Sequence, residues 1–164
     1  MIGSVVQVNI SRGGIPKLPV PEAEVGPLGL EGDTCAHPQF HGGPNQAILL
    51  ICAEAVDELR ALGYSVYYGA LGENLTVSGI DYRELRAGQQ YRAGSIIFEL
   101  TKVRVPCNQL SPLGAGIQQE IYDKRVKAGD PGSPRWGRSG FYAKVIQPGR
   151  IRTGDAILLA GQAA

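Results

Sequence analysis

Apolar residues occur along this chain in short runs separated by glycine and proline. Ser4 to Ile10 alternates well enough to predict a half-buried strand with Val6, Val8 and Ile10 facing inward. Gly13, Gly14 and Pro16 break it, and the proline-rich stretch to Pro27 reads as an ordered surface connection with one short strand inside. Leu28 to Asp33 carries a turn signature, because its glycines can take positive φ. Ala47 to Ile51 is wholly apolar and predicts a buried strand. It runs into a helix over Ala53 to Leu62, with Val56, Leu59 and Leu62 at helical spacing and Gly63 as the stop. Glu54, Asp57 and Glu58 read as the solvated face of that helix, near the end its dipole favours.

Further strands are predicted over Asn74 to Val77, Ser95 to Leu100 and Phe141 to Ile146. Ile117, Ile121 and Val126 predict one amphipathic helix across Ile117 to Val126. Tyr91 to Ser95 is echoed by Ile151 to Asp155, each leading into an apolar strand, and a hairpin over 149–160 is expected to close the chain. Repeated strand–turn–strand units with so little helix predict a mainly β fold with some α. The expected form is a curled or closed sheet of about seven or more strands with two or three helices outside, because closure removes exposed sheet edges.

The chain has 164 residues, room for one domain over 1–164 and too few for two of ordinary size. Its 23 glycines and 11 prolines are scattered between apolar runs, the pattern of a turn-rich β protein and not of disorder. A formal net charge of +1 gives no global field toward nucleic acid or an anionic membrane, so neither is an expected partner. The longest apolar run, Ala47 to Ala53, is too short to span a bilayer, and the N-terminus lacks the pattern of a signal peptide. Cys35, Cys52 and Cys107 are odd in number and irregular in spacing, which suggests a reducing, cytoplasmic setting.

The candidate chemistry centres on Thr101 to Cys107. Pro106 has no amide donor and should end the strand, which leaves Cys107 just past it, able to face a cleft. Lys102 and Arg104 share a face in an extended chain, and cations beside a thiol favour the reactive thiolate. The competing reading is a core cysteine acting as a small hydrophobe, and the stretch alone leaves both open. Cys52, behind a buried strand, is expected to be inert core, and Cys35 dispensable. Cys35, His37 and His41 have zinc-ligating side chains, but Pro38 interrupts them and no fourth ligand is near. His41-Gly42-Gly43-Pro44 fits either a backbone anion nest or a plain tight turn. Arg135, Trp136 and Arg138, in the most loop-like stretch, suggest a clamp for a planar anion, or an ordinary surface pair.

Taken in order, Gly32-Asp33, His41-Gly42-Gly43, Gly72-Glu73-Asn74-Leu75, Arg104-Val105-Pro106-Cys107 and Gly154-Asp155 resemble the MOSC family, named for the C-terminal domain of molybdenum-cofactor sulfurases. The likeness runs from about Gly3 to Leu159. Each motif alone is weak, and the ordered set is fairly specific. The resemblance implies a pyruvate-kinase-like β-barrel that binds molybdenum cofactor or a related pterin dithiolene. It implies that Cys107 is the reactive residue, either ligating molybdenum or carrying sulfur as a persulfide. His41, Asn74 and Arg104 fall on motif positions and are the implied cofactor-binding residues. Arg12, Lys102, Arg104, Arg135 and Arg138 are candidate donors to a pterin phosphate.

The chain departs from the family's larger members in two ways. It has no room for a pyridoxal-phosphate desulfurase domain, and its cysteines are too few for an iron–sulfur cluster. Gly94-Ser95 stands where the family has a second Gly-Asp turn. Electrons or sulfur would therefore come from a separate reductase or a cysteine desulfurase. The leading expectation is partner-dependent reduction of N-hydroxylated compounds. The alternatives are a persulfide carrier or cofactor chaperone without turnover, and a binding module with no redox role. Whether the protein is an enzyme stays open on the sequence.

Overall fold

The computed structural model describes residues 2–34 and 42–162. Eleven strands are found there: β1 (Ile2–Ile10), β2 (Leu18–Val20), β3 (Glu22–Gly26), β4 (Gly29–Leu30), β5 (Ile48–Cys52), β6 (Leu75–Ser78), β7 (Gln89–Ala93), β8 (Ile96–Val103), β9 (Phe141–Gln147), β10 (Gly149–Arg152) and β11 (Ala156–Gln162). Three α-helices join them, α1 (Ala53–Ala61), α2 (Ile117–Ile121) and α3 (Lys124–Lys127). Seven strands close into a ring in the order β1-β6-β5-β9-β8-β7-β11, with β11 pairing back onto β1. The predicted mainly β, barrel-type fold with peripheral helices is therefore the one observed. A small second sheet, β10-β3-β4, flanks the ring. No helix among the described residues is long and apolar enough to cross a membrane.

Most neighbours in the ring are antiparallel, and β5 and β6 are parallel. A parallel neighbour cannot be reached by a tight turn, so α1 lies in the connection between them. All five residues of β5 are buried, as its unbroken apolar run requires. Phe98 and Phe141 fill the interior, and Tyr91 stacks on Phe98 across the β7–β8 pair at 5.9 Å.

Four local expectations are corrected. In β1 the inward residues are Val5 and Val8, not Val6, because a bulge between Val5 and Gln7 puts one extra residue in the strand and flips its parity. In α1 the buried face is Ala55, Val56 and Leu59, while Leu62 caps the helix and is exposed. The single helix over 117–126 is two, because Tyr122 is extended and the Asp123 carboxylate accepts from the Val126 amide at 2.8 Å, starting a new helix. The 149–160 segment is not a hairpin: β10 pairs with β3, whereas β11 pairs with β7 and β1. Asp155 and Gly154 instead exchange backbone hydrogen bonds with Val5, at its bulge.

Candidate functional site

Strand β8 stops at Val103, and the next residue is held from two sides. The Arg104 amide donates to Gly140 O at 2.9 Å, and its carbonyl accepts from Ser139 Oγ at 2.6 Å. Gly140 has φ +98°, and a Cβ there would lie 2.6 Å from Ile51 and 2.7 Å from Leu50 O, so only glycine lets this segment pass so close to β5. Pro106 follows, and Cys107 begins a 3-10 helix over Asn108–Leu113. The Cys107 carbonyl accepts from Gln118 Nε2 at 3.2 Å, and the residue lines a cleft while staying part-exposed. Cys52 is fully buried and desolvation pushes its thiol upward, so it is the inert core cysteine expected.

Among the described residues, the cleft measures about 130 Å³ and its lining includes Lys17, Asp33, Asn74, Arg104, Cys107 and Tyr142, with apolar residues and glycines between them. Small-molecule sites typically run from about 300 Å³ upward, so a cofactor-sized ligand would enter by one end only. Arg104 is buried at its floor. Its guanidinium donates to Leu71 O at 2.7 Å and to Ser139 O at 3.4 Å, and no carboxylate among the described residues is hydrogen-bonded to it. Desolvation lowers its pKa, against which Tyr142, Cys107 and Glu73 act in the other direction.

Asn74 is the joint of the cleft's back wall. Its Oδ1 accepts from the Leu49 amide at 3.0 Å, and its Nδ2 donates to Asn9 O at 3.3 Å and Asp33 Oδ2 at 2.9 Å. Asp33 also accepts from Lys17 Nζ at 2.6 Å and from the Ser11 amide at 2.9 Å. Asn74 therefore spends its amide on protein partners and fixes the Lys17–Asp33 pair at the cleft edge. Its neighbour Glu73 is wholly enclosed, and burial first of all pushes its carboxyl up to about 7. Backbone amides at Glu73 and Gly69, the Thr76 hydroxyl and the Arg104 charge pull the other way.

The structure thus brings Cys107, Arg104 and Asn74 together. His41, like Cys35 and His37, lies outside the described residues. Gly42 lines the cleft, and Gly42 and Gly43 both have positive φ. Among described residues, no group of three or more histidine, cysteine, aspartate or glutamate side chains is placed to hold a metal.

The remaining donors are elsewhere. Arg12 is exposed and does not line the cleft. Lys102 is exposed over the Tyr142 ring, at 6.0 Å, beyond a register shift between Leu100 and Lys102. The Arg135–Trp136–Arg138 clamp is not formed. Trp136 is core, its indole donating to Leu85 O at 2.8 Å with its ring edge-on to Phe141. Arg138 is tied to Glu58 and Glu120, and Arg135 pairs with Glu120. Nor are the acidic residues of α1 merely solvated: Glu54 accepts from the Gly79 amide, Asp57 from Tyr68 OH and Glu58 from Tyr82 OH. Lys17 and Tyr142 went unmarked in the sequence, where each sits in an ordinary strand or connection. No local pattern separates them from other residues of their type.

A family model described as MOSC domain matches residues 37–158, well over half of the chain. The chain is 28% identical over 126 residues to the uncharacterized protein YflK of Bacillus subtilis, covering 76% of this chain and 52% of that one. It is 28% identical over 131 residues to protein YiiM of Escherichia coli, covering 76% and 53%. The chain thus spans about half the length of these curated relatives. In fold it is similar to the crystal structure of the YuaD protein from Bacillus subtilis, with TM-score 0.69 and 22% identity over 96% of this chain and 94% of that one.

Proposed function

From the premise that this chain belongs to the MOSC domain family, we propose that its cleft binds a molybdenum–dithiolene cofactor, with Cys107 as the protein's ligand to the metal. Family membership supports a molybdenum-cofactor-related role in general. What carries the finer reading is the meeting of Cys107 with the buried Arg104 in one cleft. The donor set fits such a group. Cys107 is the sulfur donor among the described lining residues, and a soft metal centre accepts thiolate. The buried Oε1 of Gln46, on the cleft wall, has no hydrogen-bond partner among the described residues and is available to a polar ring.

The residues divide the task by chemistry. Cys107 anchors the metal from the part-exposed side. Arg104 offers a cation to an anionic part of the ligand, and its guanidinium is fixed in orientation by two carbonyls. Asn74 is a positioning residue that holds Asp33 and, through it, Lys17. His41, by its motif position, is a further candidate for the cofactor. When bound, the cofactor supplies a two-electron redox centre suited to removing oxygen from N-hydroxylated compounds, with electrons delivered by a separate reductase.

A second reading is favoured by the part-exposure of Cys107: a persulfide carried there would be reachable by a cysteine desulfurase. Elemental analysis for molybdenum and mass spectrometry of Cys107 on the purified full chain separate the two. Wild type and Cys35→Ser should retain molybdenum, and Cys107→Ser should lose it. A sulfur adduct on Cys107 in a protein without molybdenum would replace the first reading by the second. Molybdenum retained equally by Cys107→Ser would overturn the assignment of the ligand.

A further inference from the structure

Lys17 lines the same cleft as Arg104, and both are seated on one tight turn. The turn is closed by the Gly72 amide, which donates to Gly69 O at 3.1 Å. The Lys17 amide donates to that same Gly69 O at 2.9 Å, and Arg104 Nη2 donates to Leu71 O, two residues on, at 2.7 Å. A Cβ at Gly69 would collide with the Lys17 carbonyl, so the chain entering β2 lies directly on the turn. A Cβ at Gly72 would lie 3.0 Å from Ile15 Cγ2 and 3.9 Å from Arg104 Nη2, which places that same stretch of chain beside the guanidinium. The side chain of Lys17 is fixed as firmly as its backbone. Its Nζ meets Asp33 Oδ1 at 2.6 Å, with the lysine side chain only 12% exposed. Asp33 is committed elsewhere as well: Oδ1 also accepts from the Ser11 amide at 2.9 Å, and Oδ2 from Asn74 Nδ2 at 2.9 Å.

An ammonium carries three donors, and Asp33 takes one of them. Among the described residues, no second acceptor reaches Lys17 Nζ. The carboxylate that faces it divides its charge among three donors, two of them neutral. A cation so withdrawn from water, with donors to spare and lining a cavity, is provided for when an anion arrives. We propose that Lys17 is a binding residue, and that it closes together with Arg104 on one oxyanion of the ligand. Arg104 presents a planar fork from the floor of the cleft, and Lys17 a point charge from its edge. Two cations on one turn suit a doubly charged group, such as a phosphate ester or sulfate. Asp33 opposes that anion but aims the lysine, and Asn74 in turn holds Asp33. The inference deepens the cofactor reading and rests on it for the ligand's identity, which it narrows to one carrying a phosphate-like group. The seat itself needs no metal.

Sulfate is a suitable probe, because it is a dianion at neutral pH. The full chain, purified from cells unable to make the pterin so that the cleft is free, is titrated with sulfate by calorimetry at constant ionic strength. Lys17→Met and Arg104→Met should each weaken binding about tenfold relative to wild type, and Lys17→Arg should recover most of the loss. Asp33→Asn removes the opposing carboxylate while keeping an acceptor for the Ser11 amide, and it should bind sulfate at least as tightly as wild type. A lysine that only held Asp33 in place would give another pattern, with Lys17→Met and Asp33→Asn weakening sulfate alike. If Lys17→Met strands Asp33 and does not fold, both charges are removed in Lys17→Met/Asp33→Asn. That double variant should bind about tenfold more weakly than Asp33→Asn alone. No sulfate binding by wild type, equal weakening by Lys17→Met and Asp33→Asn, or a double variant that matches Asp33→Asn would overturn the inference. Molybdenum measured on the same proteins from ordinary cells keeps the two readings apart. A sulfate contact at Lys17 without molybdenum in wild type leaves the inference standing and removes the cofactor, and molybdenum without that contact does the reverse.

Discussion

Two arginines, Arg104 and Arg138, are each largely withdrawn from water, and their surroundings could hardly differ more. Arg138 lies on the outer brace of the barrel. Its Nη1 donates to Glu120 Oε1 at 2.9 Å and its Nη2 to Glu58 Oε2 at 3.0 Å, so one guanidinium ties α1 to α2. Burial draws its pKa down, but Tyr82 and Glu58 outweigh that and raise it. Arg104 has two carbonyls and, among the described residues, no bonded carboxylate. A cation whose charge is already answered is structural, whereas one left unanswered beside a cleft is free to meet an anion. Residue type and spacing cannot distinguish the two, because the partner set is non-local.

The contrast is sharpest in its pH dependence. A proton held on Glu73 from an ordinary 4.5 up to about 7 corresponds to about 3 kcal/mol of folding free energy. Here the native state binds the proton more tightly than the unfolded chain does. Stability should therefore fall as pH rises from about 4.5 to about 7 and level off above. In Glu73→Gln that decline should vanish, a gain over wild type of about 3 kcal/mol on going from pH 5 to pH 8. Urea titrations at both values check this, and parallel declines in the two proteins would break the assignment.

A smaller effect is expected on the brace. Arg138→Met leaves Glu58 and Glu120 without their shared cation and should cost about 2 kcal/mol, discounted because Glu58 is half exposed. Its sulfate binding should match wild type. Arg104→Met should show the opposite split, changing stability by less than about 1 kcal/mol while losing sulfate and molybdenum. Chemical denaturation and calorimetry on both variants sharpen the comparison, and equal losses of stability would dissolve it.

Much of the barrel was legible because each apolar run is short, strongly β-forming and punctuated. The unbroken run at Ile48–Cys52 gave a local reason for a buried strand, which is present, whereas β8 ends at Val103, before Pro106, where Arg104 is taken up by Gly140 and Ser139, and Cys107 still lines the cleft. Where the pattern misled, one residue or one distant partner was responsible. The bulge at Val6 reverses which side chains of β1 face inward, and alternation carries no trace of it. Strand β10 leaves β11 for β3, where Ile151 is buried with Ala23 and Val25 and where Arg150 and Arg152 meet Glu24 and Glu22 at the surface. Trp136 is expected in a ligand clamp or an ordinary surface pair and is core instead, because its indole donor finds the Leu85 carbonyl far away in the chain. Glu73 belongs to the Gly72-Glu73-Asn74-Leu75 motif, but its burial depends on segments distant in the chain.

The pairing of β1 with β11, Ile2 opposite Leu158, has a consequence for how the molecule is made. A ring whose first and eleventh strands are neighbours cannot close on a growing chain until β11 has left the ribosome. Until then the edges of β1 and β7 that β11 will occupy stand open, and such edges invite pairing with other nascent chains. The split use of β1 limits that exposure, since its second half is covered early by the nearby β2, from Val8 opposite Val20 to Ile10 opposite Leu18. Along β1, the stretch around Ile2 to Ser4 must wait, as must the free edge of β7. Synthesis of this barrel is therefore expected to end in a late, long-range closure step, and chaperone demand should be concentrated in that interval.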